Sequence, residues 1–201
     1  METDDPYDLQ RFVAAQDARG TYQRALAELR AGRKTSHWMW FVFPQIAGLG
    51  YSPTSRTYAI TSLAEARAYL AHPVLGGRLT ECAGVLAGLP GRTAEQIFGE
   101  VDALKLCSSM TLFMRADPGE PVFRQVLDQY FGGIPDSATE ERILAARCPE
   151  EPRDFGLCWM AGCPALDGVA RRRHHEQAAI GRLRGLRACA GQRGGEVVSA
   201  G

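Results

Sequence analysis

Through the first 145 residues apolar side chains recur at three- and four-residue spacing between helix-capping residues, and nowhere do they alternate with period two. A strand with one buried face must alternate, so this pattern admits helices and excludes a core built on sheets. Asp8 is placed to cap a segment with Leu9, Phe12 and Val13 on one face, and Thr21 to cap Tyr22, Ala25, Leu26 and Leu29, which Gly32 ends. Ser62-Leu63-Ala64-Glu65 has the form of a capping box and predicts a helix to Leu70. His72-Pro73 breaks that helix. Pro73 then suits the first position of another, whose buried face is Val74, Leu75, Leu79, Cys82, Ala83 and Leu86. Thr93 to Gln96 repeats the box for a brief helix through Phe98, and Pro121 to Phe131 makes a helix stopped by Gly132-Gly133. Thr139 is expected to cap a last helix through Ala145, with loops at 44–57 and 87–93. The expected fold class is all-α: a single compact multi-helix domain over 5–145.

Hydrophobic residues make up 45% and charged residues 23% of the 201, the balance of a folding chain and not of a disordered one. Twenty-three basic and 23 acidic side chains cancel, which removes the broad positive field of a protein that grips phosphate backbones, so nucleic acid is an unlikely partner. No apolar run approaches the roughly 20 residues that span a bilayer, and the start Met1-Glu2-Thr3-Asp4-Asp5 lacks the basic-then-apolar layout of a secretion signal. A cytoplasmic location is therefore expected. Residues 146–201 form a Cys/Arg/Gly-rich extension with few regular apolar spacings, expected to be poorly structured. Cys148, Cys158 and Cys163 with His174-His175 lack the short paired spacing of a structural zinc site, so neither metal nor cofactor is expected. Cys82 and Cys107 fall on apolar helix positions, where a reduced thiol serves as a small hydrophobe.

Two segments depart from the routine helical pattern. In Ser36-His37-Trp38-Met39-Trp40-Phe41-Val42-Phe43-Pro44-Gln45 a histidine leads six large apolar residues, four of them aromatic. A run apolar all round belongs in the middle of a domain, with His37 as a satisfied core or capping group. The same rings can equally line a cleft, where Trp38 and Trp40 offer flat faces to a planar ligand and His37 a proton near neutral pH. In the second segment, Val101 to Phe113, Asp102, Lys105 and Ser109 fall on one helical stripe while Val101, Leu104, Cys107, Met110, Leu112 and Phe113 crowd much of the rest. That stripe is either an ordinary surface pair or the wall of a pocket. The chain has 21 arginines and only two lysines, Lys34 and Lys105, so a lysine at 105 points to a need for a compact ammonium.

These two segments also carry a resemblance. His37 to Gln45, Gly48-Leu49-Gly50 with Ser52, Tyr58-Ala59-Ile60, Ala68-Tyr69-Leu70, His72 to Gly76 with Arg78-Leu79, and Asp102, Lys105-Leu106 and Ser108 to Phe113 resemble the bacterial domain-of-unknown-function family eighteen-ten. The likeness covers about residues 5–143. It implies a mainly α-helical fold and no established activity; the label calpastatin often attached to such sequences implies nothing about protease inhibition. A looser likeness, in the order of an aromatic opening, a Tyr/Ala helix and a Lys-containing helix, is to small helical proteins that cleave N-glycosides of ADP-ribose and of the riboflavin pathway.

On that second likeness the chain is a hydrolase of an N-glycosidic bond in a nucleotide or ADP-ribose derivative. A base stacks on Trp38 or Trp40, Asp102 stabilises developing positive charge or positions water, and His37 or Lys105 protonates the leaving nitrogen. Gly48, Gly50 and Arg56 bind phosphate oxygens, and Ser108 and Ser109 complete the substrate site. The alternative is a non-catalytic module that holds a nucleotide-like metabolite in the same pocket, and a third reading is a scaffold without a cavity. In the first two the partner is a small molecule, and both need the aromatic run and the Asp102 helix to border one hollow.

Overall fold

Why the termini of these helices fall where they do accounts for most of the architecture. The computed structural model describes residues 5–89 and 91–147. In order these give α1 (Gln10–Asp17), a 3-10 turn (Ala18–Gly20), α2 (Thr21–Arg30), α3 (Met39–Val42), α4 (Pro53–Thr57), α5 (Leu63–Ala71), α6 (Leu75–Ala87), α7 (Ala94–Phe98), α8 (Glu100–Ala116), α9 (Pro121–Phe131) and α10 (Ser137–Arg147). Among the described residues there is no strand, only an isolated bridge between Ile46 and Ile60. The fold is all-α, and the extension expected over 146–201, with its cysteines and histidines, lies outside the described residues apart from the end of α10. No helix of the described residues is long and apolar enough to cross a membrane.

α8 is the axis. It packs against α5, α7, α9 and α10, while α6 joins α2, α5 and α9, and α1 closes on α2 and α3. Phe12, Trp38, Phe43, Tyr69, Phe113 and Phe123 are fully buried between them, several in tilted or edge-on pairs such as Phe12–Tyr69 at 5.1 Å and Tyr69–Phe113 at 5.3 Å. Each such ring contributes roughly 1.5–3 kcal/mol by leaving water.

Several helix ends follow the sequence closely. Ser62 accepts from Glu65 N, Thr93 and Gln96 make a complete capping box, and α9 runs from Pro121 to Phe131 before Gly132 turns left-handed. Others are corrected. α1 is capped by Asp5, whose carboxylate accepts from Leu9 N at 2.9 Å and Gln10 N at 3.0 Å, because Asp8 adopts φ +50° and turns the chain back over it. α6 starts at Leu75 and not at Pro73, since His72 Nδ1 accepts from the amides of Val74 and Leu75. α10 starts at Ser137, with Asp136 accepting from both the amide and the hydroxyl of Thr139. The loop expected over 44–57 contains α4, capped by Ser52 with Pro53 behind it. Val101 and Leu104, expected in the apolar crowd, are 67% and 70% exposed because no described element covers that side of α8.

Candidate functional site

The site begins with Glu28 on α2. Its carboxylate accepts from Thr35 N at 2.7 Å, Ser36 N at 3.1 Å, Ser36 Oγ at 2.6 Å and Trp38 Nε1 at 2.8 Å, which fixes the approach to α3. Burial alone raises the pKa of this carboxyl, but the donors from Ser36, Thr35 and Trp38 outweigh it and bring it down to about 2. Trp38 is thereby locked in the core with no exposed surface, while Trp40, two residues on, is left half-buried at the edge.

Beyond α3 the chain makes a loop whose two ends are tied together. Ala47 N donates to Ile60 O and Ile60 N to Gln45 O, each at 2.8 Å. Arg11 of α1 holds the far end: Nε donates to Thr57 O at 3.0 Å, and Nη2 donates to Ala59 O at 3.0 Å and to Glu65 Oε1 at 2.6 Å. The other oxygen of Glu65 accepts from the amide and hydroxyl of Thr61, both at 2.7 Å. Between the ends lies a cleft of about 150 Å³ bordered by Trp40, Gln45, Gly48, Arg56, Tyr58 and Thr61, among others. Gly50 also lines it and has to be glycine: a Cβ there would lie 2.5 Å from Ser55 Cβ and 3.6 Å from Trp40 Cζ3.

Next to the cleft stands a three-membered ion cluster. Asp102, in the first turn of α8, receives Lys105 Nζ on Oδ1 and Lys34 Nζ on Oδ2, each at 2.6 Å. The three side chains are only 11–17% exposed. Lys34 is placed by its own amide, which donates to Ile97 O at the end of α7. Each ammonium also faces a tryptophan: Lys105 Nζ lies 3.9 Å from the ring centre of Trp40, and Lys34 Nζ 5.4 Å from that of Trp38. Burial disfavours the Asp102 carboxylate, yet the hydrogen bonds from the two lysines prevail and hold its pKa below the usual range. The cluster thus keeps a net charge of +1.

Trp40, Gly48, Gly50 and Arg56 share the cleft, whereas Asp102 and Lys105 do not line it: Lys105 touches only the Trp40 ring, so the helix that carries them does not border the hollow as expected. The other candidates lie elsewhere. Trp38 is enclosed in the core, and His37 is exposed, with no side-chain hydrogen bond among the described residues. Ser108 Oγ is buried against Thr139 Oγ1 at 2.7 Å, and Ser109 Oγ is buried without a hydrogen-bond partner. Sequence reasoning passed over Lys34, Glu28, Tyr58 and Thr61. The scarcity of lysine was the one signal for Lys34, because both lysines of the chain end on the same aspartate. No group of three or more His, Cys, Asp or Glu among the described residues is arranged to hold a metal ion.

An all-helical domain with a ring-sized cleft, walled by an indole that carries a bound ammonium, defines the structural class. The chain belongs to the family described as Protein of unknown function (DUF1810), which it matches over residues 6–143. It is similar to the crystal structure of the conserved hypothetical protein Rv1873 from Mycobacterium tuberculosis, with 53% sequence identity and a TM-score of 0.67 over 70% of this chain and 99% of that one. No curated protein matches it.

Proposed function

We propose that the protein is a non-catalytic binding module for a small metabolite with a planar, nucleobase-like ring, held in the Trp40 cleft. The observation that carries this reading is the double use of Trp40, which lines the cleft while Lys105 occupies one face of its ring. The ammonium fixes the indole and draws on its π electrons, so the remaining surface favours an electron-rich ring. Size supports a ring and little more. A cavity of roughly 150 Å³ takes a benzene-sized guest, whereas sites that enclose a drug-sized molecule run to about 300–1,000 Å³. The rest of such a metabolite must therefore lie outside the cleft. We place this binding in the cytoplasm, where thiols such as those of Cys82 and Cys107 stay reduced.

Hydrolysis of an N-glycosidic bond asks more of the same residues. It needs an acid or a base free to reach the scissile bond. Both Asp102 oxygens are occupied by lysines, and His37 does not line the cleft. Binding is for this reason preferred over turnover.

The test is saturation-transfer NMR of the full chain with purine and pyrimidine nucleosides, alongside chromatography of the same mixtures and of ADP-ribose. Ring protons are expected to receive saturation, no free base is expected to form, and Trp40→Leu should weaken binding by about 5- to 150-fold, the equivalent of ~1–3 kcal/mol of ring stacking. Release of base that Asp102→Asn abolishes would establish the hydrolase instead. Absence of any saturation transfer from the folded protein would dispose of both.

A further inference from the structure

The border of the cleft carries charge that the ring does not need. Gly48, on its border, has φ +88°, and the guanidinium of Arg142 from α10 approaches it with Nη1 foremost: a Cβ at position 48 would stand 1.9 Å from Nη1 and 2.7 Å from Cζ. A side chain at 48 would be strained by the positive φ and would push the flexible guanidinium aside, so the bare backbone here lies directly against a cation. Arg56, one turn into α4, borders the same cleft. Among the described residues neither guanidinium makes a hydrogen bond or an ion pair, whereas Arg11, Arg30, Arg78 and Arg115 each hold a carboxylate. The amides of Gly48 and Gly50 likewise donate to no described group.

From these placements we infer that Arg56, on the border of the cleft, and Arg142, against Gly48 of the same border, form a phosphate subsite beside the ring cleft, so that the ligand is a phosphate monoester of a ring-bearing sugar. Planar guanidinium forks suit the oxygens of a phosphate, and exposed loop amides add neutral donors with no side chain in the way. The net positive cluster of Lys34, Asp102 and Lys105 on the Trp40 side adds to the attraction. On this reading the enclosed volume is small because it takes only the ring: the phosphate stays at the surface, where Arg56 and Arg142 are both exposed.

The subsite rests on the ring-binding reading for the identity of the ligand, but not for its own existence. The experiment measures affinities of the full-length protein and of Arg142→Gln for a nucleoside, its 5′-monophosphate and inorganic phosphate, by calorimetry at low and at physiological salt. Arg142 is exposed, so its replacement should leave the fold intact, which a circular dichroism melt verifies. The monophosphate is expected to bind at least about tenfold tighter than the nucleoside at low salt, and Arg142→Gln to erase most of that advantage while leaving the nucleoside unchanged. Gly48→Ala, which displaces the guanidinium, should act in the same direction. Equal affinities for nucleoside and monophosphate in the native protein overturn the subsite and leave the ring cleft standing. If nucleosides do not bind, the ring reading fails alone, and inorganic phosphate decides: binding lost in Arg142→Gln upholds the subsite, and no binding overturns it.

Discussion

Two carboxylates, Glu65 and Asp102, each sit at a crowded junction and each receive cations, yet they do different work. Glu65 is 2% exposed and its oxygens are shared between one arginine and the two donors of Thr61, so the group is neutralised and saturated by the loop it holds. Asp102 is answered by two lysines, leaving one positive charge in excess next to the cleft. A balanced pair with both oxygens engaged fixes geometry; an unbalanced one supplies field. The Arg11–Glu65 pair therefore shapes the cleft wall, and the lysine cluster decides what charge the cleft tolerates.

The largest effect expected from breaking this contrast is at Glu65. Glu65→Ala leaves the Arg11 guanidinium and the Thr61 amide and hydroxyl without the buried carboxylate they share, and because water reaches Arg11 in part the cost should be about 2–4 kcal/mol, short of that for a fully buried pair. Urea denaturation should show it as a lower midpoint, and any ring binding should disappear with it as residues 57–61 come loose. A loss below about 1 kcal/mol would show that Arg11 finds enough support from the carbonyls of Tyr7, Asp8, Thr57 and Ala59.

Asp102→Ala should cost less, roughly 1–3 kcal/mol, because this carboxylate is 17% exposed against 2% for Glu65 and water already shares in solvating the cluster. Its distinguishing mark is electrostatic. With the carboxylate gone the two lysines face each other unscreened, so stability should recover with added salt, and a titration of the melting midpoint against salt would reveal this. Glu65→Ala should show no such recovery, because it strands a single cation.

How much of this was legible in the sequence differs between the two sites for a physical reason. Caps and turns are local, so the Ser62 cap, the Thr93–Gln96 box and the Pro121 and Gly132 limits of α9 could be read from a few residues. The Asp102–Lys105 contact was local too, being one helical turn. Lys34 reaches Asp102 only because α2 and α7 bring distant segments together, and Arg11 reaches the 57–61 loop in the same manner; no spacing rule encodes either. The aromatic run was ambiguous as a string because both of its readings hold, for different rings: Trp38 is core and Trp40 is cleft. What separates them is the acceptor supplied by Glu28, again a partner remote in sequence.

Acid sharpens the comparison further. The Glu28 carboxyl has its folded-state pKa depressed from the ordinary 4.5 to about 2, so its contribution is fully present above pH 4.5 and is lost as pH falls through the window down to 2. Asp102, also depressed, acts in the same direction. Stability should hence decline below pH 4.5, and Glu28→Gln should flatten that decline while lowering stability at neutral pH. The amplitude is moderated by the water that reaches Glu28. An unchanged acid profile in the variant would assign the decline to other carboxylates.

The smallest effects separate the two lysines. Removing either leaves Asp102 with one partner, so Lys34→Ala and Lys105→Ala should each change stability by no more than about 1 kcal/mol. Their consequences for the cleft should nevertheless diverge. Lys105 lies on Trp40, and its loss frees a face of the indole and withdraws charge from the cleft border; Lys34 lies over Trp38, which no ligand reaches. Nucleoside affinity should fall in Lys105→Ala and hold in Lys34→Ala, although the two variants have lost the same charge within one cluster. Equal losses would mean that only the summed field matters and that the contact with Trp40 contributes nothing of its own.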